Sequence, residues 1–187
     1  MAYVDTNIIT AYFSKQTCEK VFDIGTCKDY ESENPIKISI LKKLQHGIIS
    51  RQALKEDFPS RIRERPDIWV GLSIIREKGI DVQDVDKDRA FFRGKTIIDN
   101  VCKEMSKNEL NFDEKVFYGK FCRGDKIITD TELIETLPEF ERRSFNGDLI
   151  HLGSASLLNE SEFYSLDKSH ISPLKRFIKE FKIKDVI

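Results

Sequence analysis

No run in this 187-residue chain approaches the ~18 uninterrupted apolar residues that a membrane-spanning helix requires. The opening residues, Met1-Ala2-Tyr3-Val4-Asp5, lack the basic region and long apolar stretch of a secretory signal. Both absences point to a cytoplasmic protein. Cysteine is sparse: Cys18, Cys27, Cys102 and Cys122 form no C-x-x-C pair, and His46, His151 and His170 stand near none of them. That spacing excludes zinc-finger and disulfide-dense scaffolds, and in a reducing compartment it predicts free, partly buried thiols. An excess of one charge is missing too. Lys and Arg number 31 against 32 Asp and Glu, a net charge of −1. A strongly basic, histone-like chain is thereby excluded, but a local basic face for nucleic acid is not. There is no low-complexity tract, Gly/Ser linker or internal repeat, and at ~150 residues per domain the length predicts one domain over 1–187.

What is present is an alternation of short strands and helices. Ala2 to Val4 reads as a buried strand, and Ile8, Ile9, Tyr12 and Phe13 recur at helical spacing. A helix is expected over 36–46, ended by Gly47, then a very short strand at Ile48-Ile49-Ser50 and a helix over 52–57. Pro66 opens a helix to Ile75, and Ile80, Val82 and Val85 alternate as a strand. Helices are predicted over 87–107, 113–121, from a cap at Thr129 or Asp130 to Arg143, and over 148–158, with a loop around Ser144-Phe145-Asn146-Gly147. Glu162 to Leu166 reads as a strand, Pro173 as the start of a last helix, and 181–187 as a closing strand. The pattern predicts an α/β fold with a mostly parallel sheet of about five strands flanked by helices, and a helical elaboration over 60–145.

Ligands of such sheets bind outside the carboxyl ends of the strands. Asp5 directly follows the first strand, and Asp167 follows Glu162–Leu166. Glu56 lies six residues past Ser50, and Asp148 opens a predicted helix, where the dipole favours its carboxylate. Carboxylates gathered in one cleft raise each other's pKa, and a cation removes that penalty. Oxygen ligands select a hard ion, Mg²⁺ or Mn²⁺, which can activate water against a phosphodiester.

At these residues the chain resembles the PIN-domain nucleases, their toxin-type ribonucleases in particular. Val4-Asp5-Thr6-Asn7-Ile8-Ile9 resembles the family's opening motif, an apolar strand ending in Asp-Thr/Ser-Asn. Ile48-Ile49-Ser50 with Glu56 resembles its second acidic position. Gly147-Asp148-Leu149-Ile150-His151-Leu152-Gly153-Ser154-Ala155 is similar to the third, and Glu162-Phe163-Tyr164-Ser165-Leu166-Asp167-Lys168 to the fourth. The four stand in the family's order. The stretch 60–145 is matched poorly and is long by the family's standard. The resemblance implies a PIN-like three-layer sandwich and a Mg²⁺- or Mn²⁺-dependent endoribonuclease. Its metal ligands and catalytic acids would be Asp5, Glu56, Asp148 and Asp167. An antitoxin protein and a second copy of the chain are the implied partners, besides the RNA substrate.

Each residue has a plainer reading. Asp5 can be a helix cap, Asp148 a helix-starting acid after an Asn-Gly turn, Asp167 a turn residue, and Glu56 a solvated helix residue. Thr6, Asn7 and Ser165 can orient a carboxylate or simply cap and turn the chain. His151, one helical turn from Asp148, reads as a half-buried packing residue rather than a base. Asp81, Asp84, Asp86 and Asp88 lack the Gly and terminal Glu of a calcium loop and read as a solvated junction. Residues 168–187 carry six Lys or Arg against Glu180 and Asp185, and Lys168, Lys175 and Arg176 are candidate phosphate contacts. Tyr12, Phe13, Phe163 and Tyr164 are candidates for base stacking, with core packing the alternative. Two other functions fit less of the pattern. One is a catalytically inert PIN-like module that binds RNA or protein. The other is a haloacid-dehalogenase-type phosphatase with Asp5 as nucleophile, which wants Asp where Asn7 stands.

Overall fold

A computed structural model describes residues 2–5, 47–50, 79–165 and 167–185. Three strands come first, β1 (Ala2–Val4), β2 (Gly47–Ser50) and β3 (Ile80–Gln83). Helices α1 (Lys87–Met105) and α2 (Phe112–Phe121) follow, then a hairpin of β4 (Cys122–Arg123) and β5 (Lys126–Ile127). Helices α3 (Asp130–Thr136) and α4 (Glu139–Leu157) lead to β6 (Glu162–Ser165) and, past a 3-10 turn at Ser172–Leu174, to β7 (Lys182–Asp185). The helices expected over 8–13, 36–46, 52–57 and 66–75 lie outside the described residues, as do Thr6, Asn7, Glu56, Tyr12, Phe13, Cys18 and Cys27.

The main sheet has the order β3-β2-β1-β6-β7, and every pairing in it is parallel. Strands β1 and β2 are buried at every position, which is why they read as short apolar runs without polar alternation. The chain builds β1, β2 and β3 toward one edge and then resumes at β6 on the other side of β1. The order therefore reverses between β1 and β6, the place where a parallel sheet opens a crevice at its carboxyl ends.

Helices α1 and α4 pack closely, because small residues stand where they meet. A Cβ added to Gly94 would lie 2.0 Å from the Leu149 carbonyl oxygen, and one added to Gly153 1.8 Å from that of Ala90. One apolar core joins this pair to the sheet: Tyr3, Phe163 and Ile183 share it with Ile97, Phe121 and Phe145. Phe163 is therefore core, stacked on Tyr3 and Phe181, and not a surface for bases. Helix α1 starts at Asp86, whose side chain accepts from the Arg89 N–H at 2.8 Å, and Asp81, Asp84 and Asp88 are exposed, as a solvated junction requires.

Three expectations need correction. The segment 130–158 is not one helix to Arg143, a loop and a second helix from Asp148. It breaks at Leu137-Pro138, where the residue before proline is extended, and α4 then runs unbroken through Asn146-Gly147. Burial of Phe145, Leu149 and Leu152 outweighs the ~1 kcal/mol helix cost of Gly147. Asp148 thus sits mid-helix, away from any favourable dipole end. Pro173 opens only the 3-10 turn. The β4–β5 hairpin turns at Gly124 with φ 61°, a conformation that suits glycine. Finally, Cys102 at the end of α1 and Cys122 in β4 form a disulfide, with Cα atoms 5.6 Å apart, where free thiols were expected. Their place in the fold brings them together across 20 residues, which no local spacing announces. No described helix is long and apolar enough to cross a membrane.

Candidate functional site

The two strands that flank the reversal are each followed by an acid, Asp5 directly after β1 and Asp167 two residues past β6. Asp5 follows β1, and its N–H donates to the Tyr164 carbonyl at 3.0 Å, extending the β1–β6 pairing by one step. Its carboxylate is buried. Ser165, the last residue of β6, donates its hydroxyl to Asp5 Oδ2 at 2.6 Å and accepts the Asp167 N–H at 3.1 Å. One serine thus ties the two strand ends together.

Asp167 divides its work between its oxygens. Oδ1 accepts the Ser169 N–H at 2.7 Å, the Ser169 hydroxyl at 2.8 Å and the His170 N–H at 3.0 Å, an Asx-type turn. Oδ2 faces the His170 ring, 3.6 Å from Nδ1. The turn reading and the site reading are both satisfied, one at each oxygen.

Asp148 reaches the same place from α4. Its Oδ2 lies 2.6 Å from His170 Nδ1, and both groups are buried. Burial, the largest influence, pushes the Asp148 carboxyl up to about 7, and the neighbouring charges of Asp167 and Asp5 push the same way against the opposing hydrogen bond from His170. Burial works against the charged form of His170, but the hydrogen bond to Asp148 and the charges of Asp148, Asp167 and Glu141 outweigh it, so its pKa is raised. Both shifts favour the protonated form of each partner.

Among the described residues, Asp148, Asp167 and His170 form a group whose ligand atoms all lie within 4.8 Å of one another. Two carboxylates and an imidazole are a donor set that fits a divalent cation. Asp5 is not one of these three, although it is close enough to act on Asp148 electrostatically.

Below this group runs a second polar chain. The Tyr3 hydroxyl lies 3.2 Å from Ser50 Oγ and 3.0 Å from His151 Nδ1, and His151 Nε2 lies 3.6 Å from Asp5 Oδ1. His151 is thus fully buried in a polar network beneath Asp5, more than the half-buried packing residue its neighbours suggested.

Of the sequence candidates, Asp5, Asp148, Asp167 and Ser165 converge, and Glu56, Thr6 and Asn7 lie outside the described residues. Among the basic candidates, Lys168 and Lys175 are exposed. The Arg176 guanidinium is engaged by the buried Glu114 carboxylate at 2.7 and 2.8 Å and by the Glu109 carbonyl. Lys179 pairs with Glu104 and Lys184 with Glu162, so part of the C-terminal positive charge is spent within the fold. His170 was missed. Its one sequence signal is its place three residues after Asp167, which is meaningful only once the turn folds it back. No family model, no curated protein and no solved structure matches this chain.

Proposed function

We propose that this protein is a metal-dependent endoribonuclease with a PIN-like three-layer fold, working at the reversal between β1 and β6. The observation that carries the reading is geometric: Asp148 and Asp167 come within 4.8 Å of each other and of His170, beside Asp5, where the strand order reverses. Three carboxylates at the mouth of a sheet repel one another, and a cation would relieve that repulsion. A bound Mg²⁺ or Mn²⁺ would polarise a phosphodiester and lower the pKa of water enough to make it a nucleophile at neutral pH.

The chain's own residues do the rest. Asp148 and Asp167 would hold the cation from α4 and from the turn after β6. Asp5 contributes charge from the opposite strand end, fixed in place by the Ser165 hydroxyl. Glu56 is proposed to join from the segment after β2. The exposed Lys168 and Lys175 lie just past Asp167 in the chain and would meet the phosphate backbone. Single-stranded or structured RNA is the proposed substrate, and in-line attack leaves a 5′-phosphate and a 3′-hydroxyl. Within this class the toxin of a toxin–antitoxin pair, acting as a dimer, is the proposed role. The test is incubation of end-labelled RNA with Mn²⁺, with and without chelator, and analysis of the product ends. Metal-dependent cleavage to 5′-phosphates is expected. An inert protein across diverse RNAs would favour a binding module instead.

A further inference from the structure

We propose that His170 is a nitrogen ligand of the cation at this site, so that the centre selects a transition-series ion such as Mn²⁺ over Mg²⁺. The inference rests on the nuclease reading, which supplies the need for a cation. It departs from an all-oxygen set of acids and assigns a role to a residue that the acid pattern does not include.

The geometry already gathers the donor atoms that a cation would need. His170 Nδ1 lies 2.6 Å from Asp148 Oδ2 and 3.6 Å from Asp167 Oδ2. Adjacent donors around a small cation with bonds of about 2.1 Å stand roughly 3.0–3.5 Å apart, between those two distances. The ring is also fixed in advance. Phe121 meets it edge-on at 5.2 Å and 90°, and Phe145 at 5.9 Å and 77°. Its backbone N–H is bound by Asp167 Oδ1 at 3.0 Å. A side chain held by two aromatic rings and a turn loses little freedom when it binds a metal.

The consequence is selectivity. Mg²⁺ takes oxygen ligands and gives up water reluctantly, whereas imidazole suits the first-row transition ions. The wild type should therefore bind Mn²⁺ more tightly than Mg²⁺ by about tenfold or more. His170→Asp, which restores an all-oxygen set, should collapse that ratio to within about threefold.

The direct test is pulsed electron paramagnetic resonance of the protein loaded with Mn²⁺ alone. Nitrogen modulation is expected in the wild type and its loss in His170→Gln. The chain has three histidines. If His170→Gln does not fold, a signal that survives in both His46→Gln and His151→Gln still assigns the nitrogen to His170. Bound Mn²⁺ with no nitrogen modulation overturns the inference while leaving the nuclease reading intact, and so does a signal lost only in His46→Gln or His151→Gln. No Mn²⁺ binding at all overturns both.

Discussion

Ser165 donates its hydroxyl to Asp5 across 2.6 Å, from the end of β6 to the end of β1, and so bridges the two halves of the sheet at the point where strand order reverses. The same oxygen accepts the Asp167 N–H. Truncation to Ser165→Ala removes both bonds and leaves the buried Asp5 carboxylate less well held. A loss of about 1–2 kcal/mol of stability is expected, because a buried charged acceptor loses a donor. Cleavage should fall about 10- to 100-fold, the usual cost of removing a group that orients a ligand. Denaturant titration and steady-state cleavage check the two effects separately.

Asp148 predicts an inverted stability profile. Its folded pKa of about 7 lies above the ordinary 3.8, so the folded state binds the proton more tightly than the unfolded chain. That contribution is full below about pH 4 and is lost as pH rises to about 7. The raised pKa of His170 acts in the same direction at the upper end. In chelator, Asp148→Asn should therefore be more stable than the wild type at pH 8, by about 2 kcal/mol, with the difference shrinking toward pH 4. A variant less stable than the wild type at pH 8 would contradict this. Thermal unfolding across pH measures it.

Three glycines separate packing from propensity. Gly153→Ala would place a methyl 1.8 Å from the Ala90 carbonyl oxygen, and Gly94→Ala one 2.0 Å from that of Leu149. Both obstacles are backbone, so α1 and α4 must move apart, and a loss of about 3 kcal/mol or more is expected. Gly147 has no neighbouring atom within 4 Å of such a methyl. In the middle of α4, Gly147→Ala should stabilise by about 0.5–1 kcal/mol. Chemical denaturation of the three variants provides the comparison.

The Cys102–Cys122 bridge closes a loop with a sequence separation of 20. Loop entropy alone gives such a bridge about 3 kcal/mol. Reduction, or Cys102→Ser with Cys122→Ser, should lower the unfolding free energy by that order. Alkylation with mass analysis of protein purified without reductant should find both thiols blocked.

The sheet was legible in the sequence where burial is complete. Ala2–Val4 and Ile48–Ser50 read as strands because strands covered on both faces are uniformly apolar, and Asp5 and Asp167 then stand out as the polar residues that follow strands. The path of α4 was not legible. Asn146-Gly147 is a strong local turn signal, and what overrides it is the buried contact of Gly153 with α1 and the stacking of Phe145 on Phe121 at 4.0 Å. His170 was hidden for a related reason. Nothing in Lys168-Ser169-His170 distinguishes a site loop from an ordinary turn until the hydrogen bonds to Asp167 Oδ1 bend it toward Asp148. The cysteine pair likewise depends on α1 and β4 meeting.

Cleavage of labelled RNA in Mn²⁺ by the wild type and by Asp5→Asn, compared side by side, bears most directly on the central claim. Asp5→Asn keeps the size of the side chain and an oxygen for Ser165, and removes only the charge. The wild type is expected to cleave, and Asp5→Asn to lose activity by about 100-fold or more while unfolding at a similar temperature. Equal cleavage by the two proteins would contradict the account.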